Sequence, residues 1–256
     1  MIPSADIRVM GILNITPDSF YSASRKQTER EIALRVEEIR QQKGDIIDVG
    51  AFSTRPGFTA VDEDEEVSRL RKGLGIVRST WPDAVVSVDT FRADVARIAI
   101  SEFGATIIND PSGVCDKRMM QVVAEAQASY VLTSHDDDMD GMIRMFTHKV
   151  AELRSAGVKD IIIDPGLGFD KTVDDNFQIL SQLERLQELS LSVMVGFSRK
   201  SMIWKTMGGT SEDALNGTTV LNTIALMKGA SIVRVHDVKE GVECVTLYKK
   251  TNDKKV

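Results

Sequence analysis

Residues that could carry acid–base or anion-binding chemistry stand at or shortly after the ends of short apolar segments at several places in the chain. The set comprises Asn14, Thr54, Arg55, Asp89, Asn109, Asp164, Lys200, Arg234 and His236. The oxygens and amide of Asp89, Asn109 and Asp164 suit the amino and ring N–H groups of a flat heterocycle. Most of the others offer hydrogen-bond donors or positive charge, which suits phosphate or diphosphate, and Lys200 suits either half. The residues by themselves indicate a binding protein or an enzyme for an anionic heterocycle.

Each of these residues also has a structural explanation when it is taken alone. An Asp or Asn after a strand often caps a helix, and an Arg is often a surface ion partner. His236, taken alone, would be interpreted as a hydrogen-bonded structural histidine. The functional interpretation depends on the repetition of polar residues after segments that are otherwise apolar.

The segment Ile161-Ile162-Ile163 is the clearest of these apolar segments, and Asp164 follows it directly. Three consecutive β-branched residues show no alternation, which indicates a strand that is buried on both faces, as in parallel sheets covered by helices. Seven other segments repeat this pattern, at 9–13, 46–50, 85–88, 107–108, 130–132, 193–195 and 231–235. The carboxyl ends of parallel strands are where α/β folds place their ligands.

Stretches with helical periodicity lie between the apolar segments. They cover about 27–43, 63–79, 91–103, 116–127, 139–156, 174–188, 211–229 and 238–249. We expect Ser211 to cap its helix and the acidic run 62–66 to be a solvated helix start. Strands that alternate with helices imply parallel βαβ units, and the first strand lacks the GxGxxG of an open dinucleotide-binding sheet. The prediction is an α/β fold, a single (β/α)₈ TIM barrel over residues 1–256, since such a barrel needs roughly 250 residues.

Composition excludes several classes of protein. The 256 residues carry a net charge of −6 without a basic run, which argues against a nucleic-acid partner. Cys115 and Cys244 lie far apart and suggest neither a disulfide framework nor a zinc site. We find no signal peptide and no apolar window long enough for a membrane span, so we expect a cytoplasmic protein that has no membrane partner.

Seven stretches of the sequence, taken together and in their order along the chain, resemble the dihydropteroate synthases of folate biosynthesis. The resemblance covers about residues 8–243. They are Gly11–Phe20, Ser53–Gly57, Val88–Thr90, Ile108–Asp110, Ile163–Gly166, Gly196–Ser201 and Arg234–Val238. The resemblance implies a TIM-barrel enzyme, usually a homodimer. Such an enzyme joins 6-hydroxymethyl-7,8-dihydropterin diphosphate to 4-aminobenzoate and releases diphosphate in the presence of Mg²⁺.

The resemblance also implies roles for individual residues. The pterin ring would be held by Asp89, Asn109, Asp164 and Lys200. Asn14, which would bind the metal, would form the anion site with Arg234, His236 and Mg²⁺. Thr54 and Arg55 would lie on the second loop, while Phe169, Lys200 and Ser201 would border the aminobenzoate. The catalytic set would be Asn14, Asp164, Lys200, Arg234 and His236.

This chain departs from the family pattern in loops. Ala51 and Asp170 stand where the family commonly has glycine, and 133–139 replaces a His-Met-Arg-like element. Two alternatives remain open. A methyltetrahydrofolate-dependent methyltransferase shares the barrel, but it would leave the anion-site residues without a purpose. A non-catalytic pterin-binding protein would be expected to have lost them.

Overall fold

The computed structural model describes residues 7–15, 29–52, 62–114, 116–169 and 171–252. Eight parallel strands pair in sequence order, and the first strand also pairs with the last, which closes a barrel. Helices connect consecutive strands. This architecture confirms the predicted (β/α)₈ barrel.

The element boundaries are as follows. The strands are β1 (Arg8–Asn14), β2 (Ile46–Gly50), β3 (Val86–Asp89), β4 (Ile107–Asp110), β5 (Ser129–Thr133), β6 (Ile161–Asp164), β7 (Ser192–Val195) and β8 (Ile232–Val235). The helices are α1 (Glu29–Gln41), α2 (Glu63–Thr80), α3 (Ala93–Phe103), α4 (Lys117–Ala126), α5 (Met139–Ser155), α6 (Val173–Ser181), α7 (Ser201–Met207), α8 (Leu215–Met227) and α9 (Val238–Asn252). Within the described ranges, no helix has both the length and the apolar character needed to cross a bilayer.

The inside of the barrel changes character along its axis. One layer of side chains is apolar and nearly inaccessible to solvent, and consists of Met10, Ile46, Ile107, Val131, Ile162, Met194 and Ile232. Residues two positions further along a strand face the same way. In four strands those residues are Asp48, Asn109, Asp164 and Arg234. The barrel interior therefore has a buried apolar layer, and a polar layer lies directly next to it at the carboxyl ends of the strands.

Two helix predictions need correction. The stretch predicted as one helix at 174–188 divides into α6 and a 3₁₀ helix, Leu183–Leu189, in which Leu183 and Leu186 are buried at the three-residue spacing of that helix. The stretch 211–229 begins with a 3₁₀ turn, and Ser211 makes no side-chain capping bond. The side chain of Asp213 instead accepts hydrogen bonds from the backbone N–H and the hydroxyl of Thr210, at 2.9 and 2.8 Å.

The seven-residue helix α7 was not predicted, because it is too short to display helical periodicity.

The acidic start of α2 was expected to be solvated, but one of its carboxylates is not. Glu66 is fully buried. Its carboxylate accepts a 2.8 Å hydrogen bond from the hydroxyl of Thr90 and a hydrogen bond from the guanidinium of Arg92. Arg92 also lies over the rings of Phe52 and Phe91, which contact each other edge to face at 5.0 Å. Glu66 thus joins α2 to the segment after β3.

Candidate active site

A network of charged and amide side chains spans the polar layer of the barrel. Arg234 on β8 donates from Nε to Oδ2 of Asp48 at 2.6 Å and from Nη2 to Oδ2 of Asp89 at 2.8 Å. The amide of Asn109 on β4 donates to the same Asp48 oxygen at 3.1 Å. The network joins four strands, so side chains far apart in sequence hold each other in fixed positions.

Burial controls the protonation of this network. Burial opposes the charge of Arg234, but Asp48 and Asp89 raise its pKa above the ordinary value, so it stays a cation. Burial raises the pKa of Asp89 to about 7, although Arg234 acts in the opposite direction. Asp48 is fully buried, and its Oδ1 has no hydrogen-bond partner within the described residues. The network therefore holds a permanent cation beside a carboxyl group that titrates close to neutrality.

The second part of the site is the turn after β6. Gly166 donates its backbone N–H to Oδ1 of Asp164 at 2.8 Å. Gly166 has a φ of 64°, and a Cβ atom there would lie 2.1 Å from the carbonyl oxygen of Ser134, so only glycine fits. Burial raises the pKa of Asp164, while Lys200 and the Gly166 N–H act to lower it. This turn presents a buried carboxyl group to the mouth of the barrel.

Lys200 reaches across this turn from the exit of β7. Its ammonium group donates to the carbonyl oxygen of Leu167 and lies 4.2 Å from the centre of the Phe169 ring. Burial lowers the pKa of Lys200 to about 8, while Asp164 partly offsets this and Arg234 adds to it. Lys200 and Phe169 therefore form a cation–aromatic pair at the edge of the site.

The exits of β7 and β8 are fixed to each other. Arg199 has a left-handed backbone, with φ 55°, and makes a two-pronged ion pair with Asp237, in which both hydrogen bonds are 2.8 Å. The backbone N–H of His236 donates to the hydroxyl of Ser198 at 3.1 Å. These bonds hold Lys200 and His236, which adjoin Arg199 and Asp237 in sequence, on neighbouring strand exits.

His236 is neutral in the free protein. Burial, and then the charges of Arg234 and Arg35, lower its pKa far below the usual range of histidine. Its carbonyl oxygen accepts a 2.5 Å hydrogen bond from Nη2 of Arg35. His236 therefore offers hydrogen-bonding groups to the site but no positive charge in the free protein.

Asn14 ends β1 at the mouth of the barrel. Its Oδ1 lies 3.2 Å from the position that a Cβ atom of Gly50 would take, and Cβ of Asp89 lies 3.8 Å from the same point. Among the described residues, no group of three or more His, Cys, Asp and Glu side chains could hold a metal by itself. Mg²⁺ is usually held by one or two protein oxygens together with water and substrate phosphates. A single amide oxygen beside a carboxyl group is compatible with that mode of binding.

The remaining sequence-predicted residues divide into two groups. Ser201 is the first residue of α7 and directly follows Lys200. Thr54 and Arg55 lie outside the described residues.

At the unusual exit of β5, Nε2 of His135 is 2.7 Å from the carbonyl oxygen of Pro111, and its ring centre is 6.2 Å from that of Phe169. The loop that departs from the family pattern thus adjoins Phe169.

Two residues of the site were missed by sequence inspection. Asp48 lies within the apolar segment 46–50 and was not included in the candidate set, although a carboxylate inside a buried strand was a usable signal. Lys171 donates to the carbonyl oxygens of Ser134 and Gly166 at 3.1 and 3.2 Å. Nothing in the sequence around Lys171 distinguishes it from a surface lysine.

Known proteins resemble this chain in sequence and fold. The family model described as pterin binding enzyme matches residues 10–236. The dihydropteroate synthase of Clostridium beijerinckii is 40% identical over 243 residues, which cover 91% of this chain and 89% of that protein.

Solved structures agree with this family match. The Clostridium difficile dihydropteroate synthase, solved in the presence of pteroic acid, superposes with a TM-score of 0.90 at 32% identity and covers 99% of this chain and 100% of its own. The Xanthomonas albilineans enzyme with 4-aminobenzoic acid gives 0.88 at 31% identity, with 98% and 95% covered. The resemblance found in the sequence is confirmed: the chain belongs to the pterin-binding enzymes and, among these transferases, to the dihydropteroate synthases.

Proposed function

We propose that this enzyme joins 6-hydroxymethyl-7,8-dihydropterin diphosphate to 4-aminobenzoate, forming 7,8-dihydropteroate and diphosphate. The observation that carries the proposal is the Arg234 network, in which a buried cation is fixed beside two carboxyl groups and an amide. The network supplies hydrogen-bonding groups for a heterocycle and a permanent cation for an anion in one small space.

The pterin ring would be held by Asp89, Asn109, Asp164 and Lys200. The carboxyl groups of Asp89 and Asp164 can accept from ring and amino N–H groups, while the Asn109 amide and the Lys200 ammonium can donate to ring acceptors. Burial supports this role, because Asn109 and Asp164 are only 5% exposed and their hydrogen bonds face little competition from water.

The diphosphate would be held by Arg234, His236 and Asn14. The guanidinium of Arg234 remains charged, and a bound anion would raise the pKa of His236 and favour its protonated form. Mg²⁺ bound with Asn14 would neutralise part of the charge on the departing diphosphate. Thr54 and Arg55 belong to the same proposal as residues of the second loop.

The aminobenzoate would lie against Phe169, Lys200 and Ser201. The Phe169 ring offers an aromatic face, and the Lys200 ammonium lies 4.2 Å from its centre. The cation can therefore attract the carboxylate of the second substrate while the ring contacts its aromatic face.

The reaction breaks the C–O bond between the pterin methylene and diphosphate and forms a C–N bond to the amine of aminobenzoate. The oxygen keeps the electron pair of the broken bond, and the amine supplies the pair for the new bond and then loses one proton. Positive charge develops on the pterin methylene, where the carboxylate of Asp164 favours it. Arg234 favours the negative charge on the leaving group, so the catalysis is electrostatic and needs no covalent intermediate.

A homodimer is the second part of this proposal. Val220 and Met227, on the same side of α8, and Leu247 on α9 are 48%, 73% and 68% exposed. The two helices pack together, and the Thr223 hydroxyl and Cys244 sulfur are 3.2 Å apart. An apolar surface across two packed helices suits a second copy of the chain. Sedimentation at micromolar concentration should show a dimer for the wild type and a monomer for Met227→Lys; a wild-type monomer would reject this part.

The direct test of the reaction is diphosphate release from the pterin diphosphate with Mg²⁺, with and without 4-aminobenzoate. Lys200→Ala should lose the activity, while Lys205→Ala, which changes an exposed lysine on the adjacent helix, should retain it. Release that does not depend on 4-aminobenzoate would reject the proposed condensation. A folded protein that binds the pterin without turnover would point to a methyltransferase or a binding protein.

A further inference from the structure

Lys171 connects two strand exits of the active site. Its ammonium group donates to the carbonyl oxygen of Ser134, after β5, at 3.1 Å and to that of Gly166, after β6, at 3.2 Å. The two exits lie very close together here, since a Cβ atom on Gly166 would be 2.1 Å from the Ser134 oxygen. A cation at this point draws together two carbonyl dipoles that would otherwise repel each other.

The connected turn is the one that presents Asp164. The carbonyl oxygen of Gly166 accepts hydrogen bonds from the Lys171 ammonium group and from the backbone N–H of Phe169, the latter at 3.1 Å. The N–H of the same Gly166 donates to Oδ1 of Asp164 at 2.8 Å. Because the carbonyl oxygen of Gly166 binds Lys171 and its N–H binds Asp164, the orientation of the carboxyl group depends on the lysine.

We propose that Lys171 is a positioning residue of this active site: its ammonium group fastens the exits of β5 and β6 and thereby fixes the turn that presents Asp164 to the substrate. The identity of that substrate rests on the function proposed above. Lys171 does not contact the substrate in this proposal; it acts through the backbone of Gly166.

The charge of Lys171 has a second consequence, at Lys200. The charged groups that act on Lys200 are Asp164, Arg234, Lys171 and Asp89, and the two cations among them lower its pKa. Removal of the Lys171 charge therefore raises the pKa of Lys200 above about 8. A role confined to uncharged packing would leave that pKa unchanged.

The test compares four variants of the full chain. Lys171→Met removes both the positive charge and the hydrogen-bond donors. Lys171→Gln removes the charge but keeps a neutral donor, and Lys171→Arg keeps the charge and the donors. Lys239→Met, on α9, is the matched control, because Lys239 is 65% exposed and pairs only distantly with Glu243, at 3.9 Å. For each variant, kcat and KM for both substrates, the pH profile and the unfolding midpoint are measured.

We expect Lys171→Met to lower kcat/KM for the pterin diphosphate about 10- to 100-fold, as for the loss of hydrogen bonds from a charged group. Lys171→Arg and Lys239→Met should retain most of the activity. Both Lys171→Met and Lys171→Gln should move the alkaline limb of the pH profile upward. Unchanged kcat/KM in Lys171→Met together with an unmoved limb would overturn the proposal.

A readout without substrate separates this proposal from the proposed function. NMR titration of Lys200 in isotope-labelled protein, assigned with Lys200→Ala, measures its pKa directly in the wild type and in Lys171→Gln. A higher pKa in Lys171→Gln supports the inference even if the wild type fails to make dihydropteroate, and an equal pKa overturns it even if the enzyme is active. The same titration decides the matter if Lys171→Met does not fold.

Discussion

Nε of Arg234 and Oδ2 of Asp48 are 2.6 Å apart inside the barrel, although 186 residues separate them in the chain. The same Asp48 oxygen also receives the amide of Asn109. One buried carboxylate thus sets the positions of two side chains to which we assign contacts with the substrate. We therefore expect Asp48 to contribute to substrate binding by holding those two side chains.

Asp48→Asn should therefore weaken binding of the pterin diphosphate. The amide keeps one acceptor oxygen but removes the charge opposite Arg234, so we expect kcat/KM to fall about 10- to 100-fold. Steady-state kinetics checks this result, with Asp64→Asn at the exposed start of α2 as the control. Equal kinetics in the two variants would contradict the role given to Asp48.

Asp164→Asn should separate catalysis from folding. Because burial raises the pKa of Asp164 in the folded protein, its ionisation destabilises the fold; this cost grows as the pH rises from the ordinary pKa of an aspartate to the raised value and is complete above it. A neutral amide removes that cost, so stability at neutral pH should stay the same or increase. We expect kcat to fall about 100- to 1,000-fold, as for the loss of an electrostatic group in the transition state. Paired measurements of kcat and thermal unfolding check this; a variant as active as the wild type would exclude the role.

The fold could be predicted because each strand has an apolar segment long enough to be recognised. Strand ends were less accurate for a specific physical reason. Asn109 and Asp110 were taken to follow β4, yet they lie within it, and Asp89 and Asp164 are likewise the last residues of their strands. Polarity usually marks the end of a buried strand, but here the side chains of Asp89, Asn109 and Asp164 point into the barrel and form the site. Asp110 faces the other way, and its carboxylate accepts a 2.5 Å hydrogen bond from the hydroxyl of Tyr130.

The site could be predicted only in part. Asp89, Asn109 and Arg234 were identified from their positions after apolar segments, and the barrel brings them into one network. A carboxylate inside a buried strand pointed to Asp48, but its contacts with Arg234 and Asn109 depend on which side the strand faces, and those of Lys171 depend on how closely two loops approach. That information exists only once the barrel has closed.

The alkaline pH dependence should follow Lys200. A lysine is charged below its pKa, so the ammonium group to which we assign contacts with both substrates is lost as the pH rises through about 8. We expect kcat/KM to decline above that pH in the wild type. Lys200→Arg should be less active but should lack this decline, since an arginine stays protonated. Profiles measured across the neutral and alkaline range test this, and the same decline in Lys200→Arg would assign it to another group.

Arg92→Ala should destabilise the fold through Glu66. The Glu66 side chain is 0% exposed and that of Arg92 is 17% exposed, so the variant leaves a buried carboxylate without its cation. The loss of one partner from such a pair costs about 3–5 kcal/mol. Urea unfolding should show a loss of this size for Arg92→Ala and a partial recovery in the double variant with Glu66→Gln. No recovery would mean that the Phe52 and Phe91 contacts of Arg92 dominate.

Gly168→Ala should disturb Lys200, and Gly208→Ala provides a control for backbone strain. Both glycines have a positive φ, 84° and 73°, so alanine should destabilise the fold by about 1–2 kcal/mol at each position. A Cβ atom on Gly168 would lie 2.3 Å from Cδ of Lys200, whereas one on Gly208 would have no atom within 4 Å. Only Gly168→Ala should therefore move the ammonium group away from Leu167 and Phe169 and raise the KM of both substrates. Comparable KM values in the two variants, at comparable stability, would show that substrate binding does not depend on this placement of Lys200.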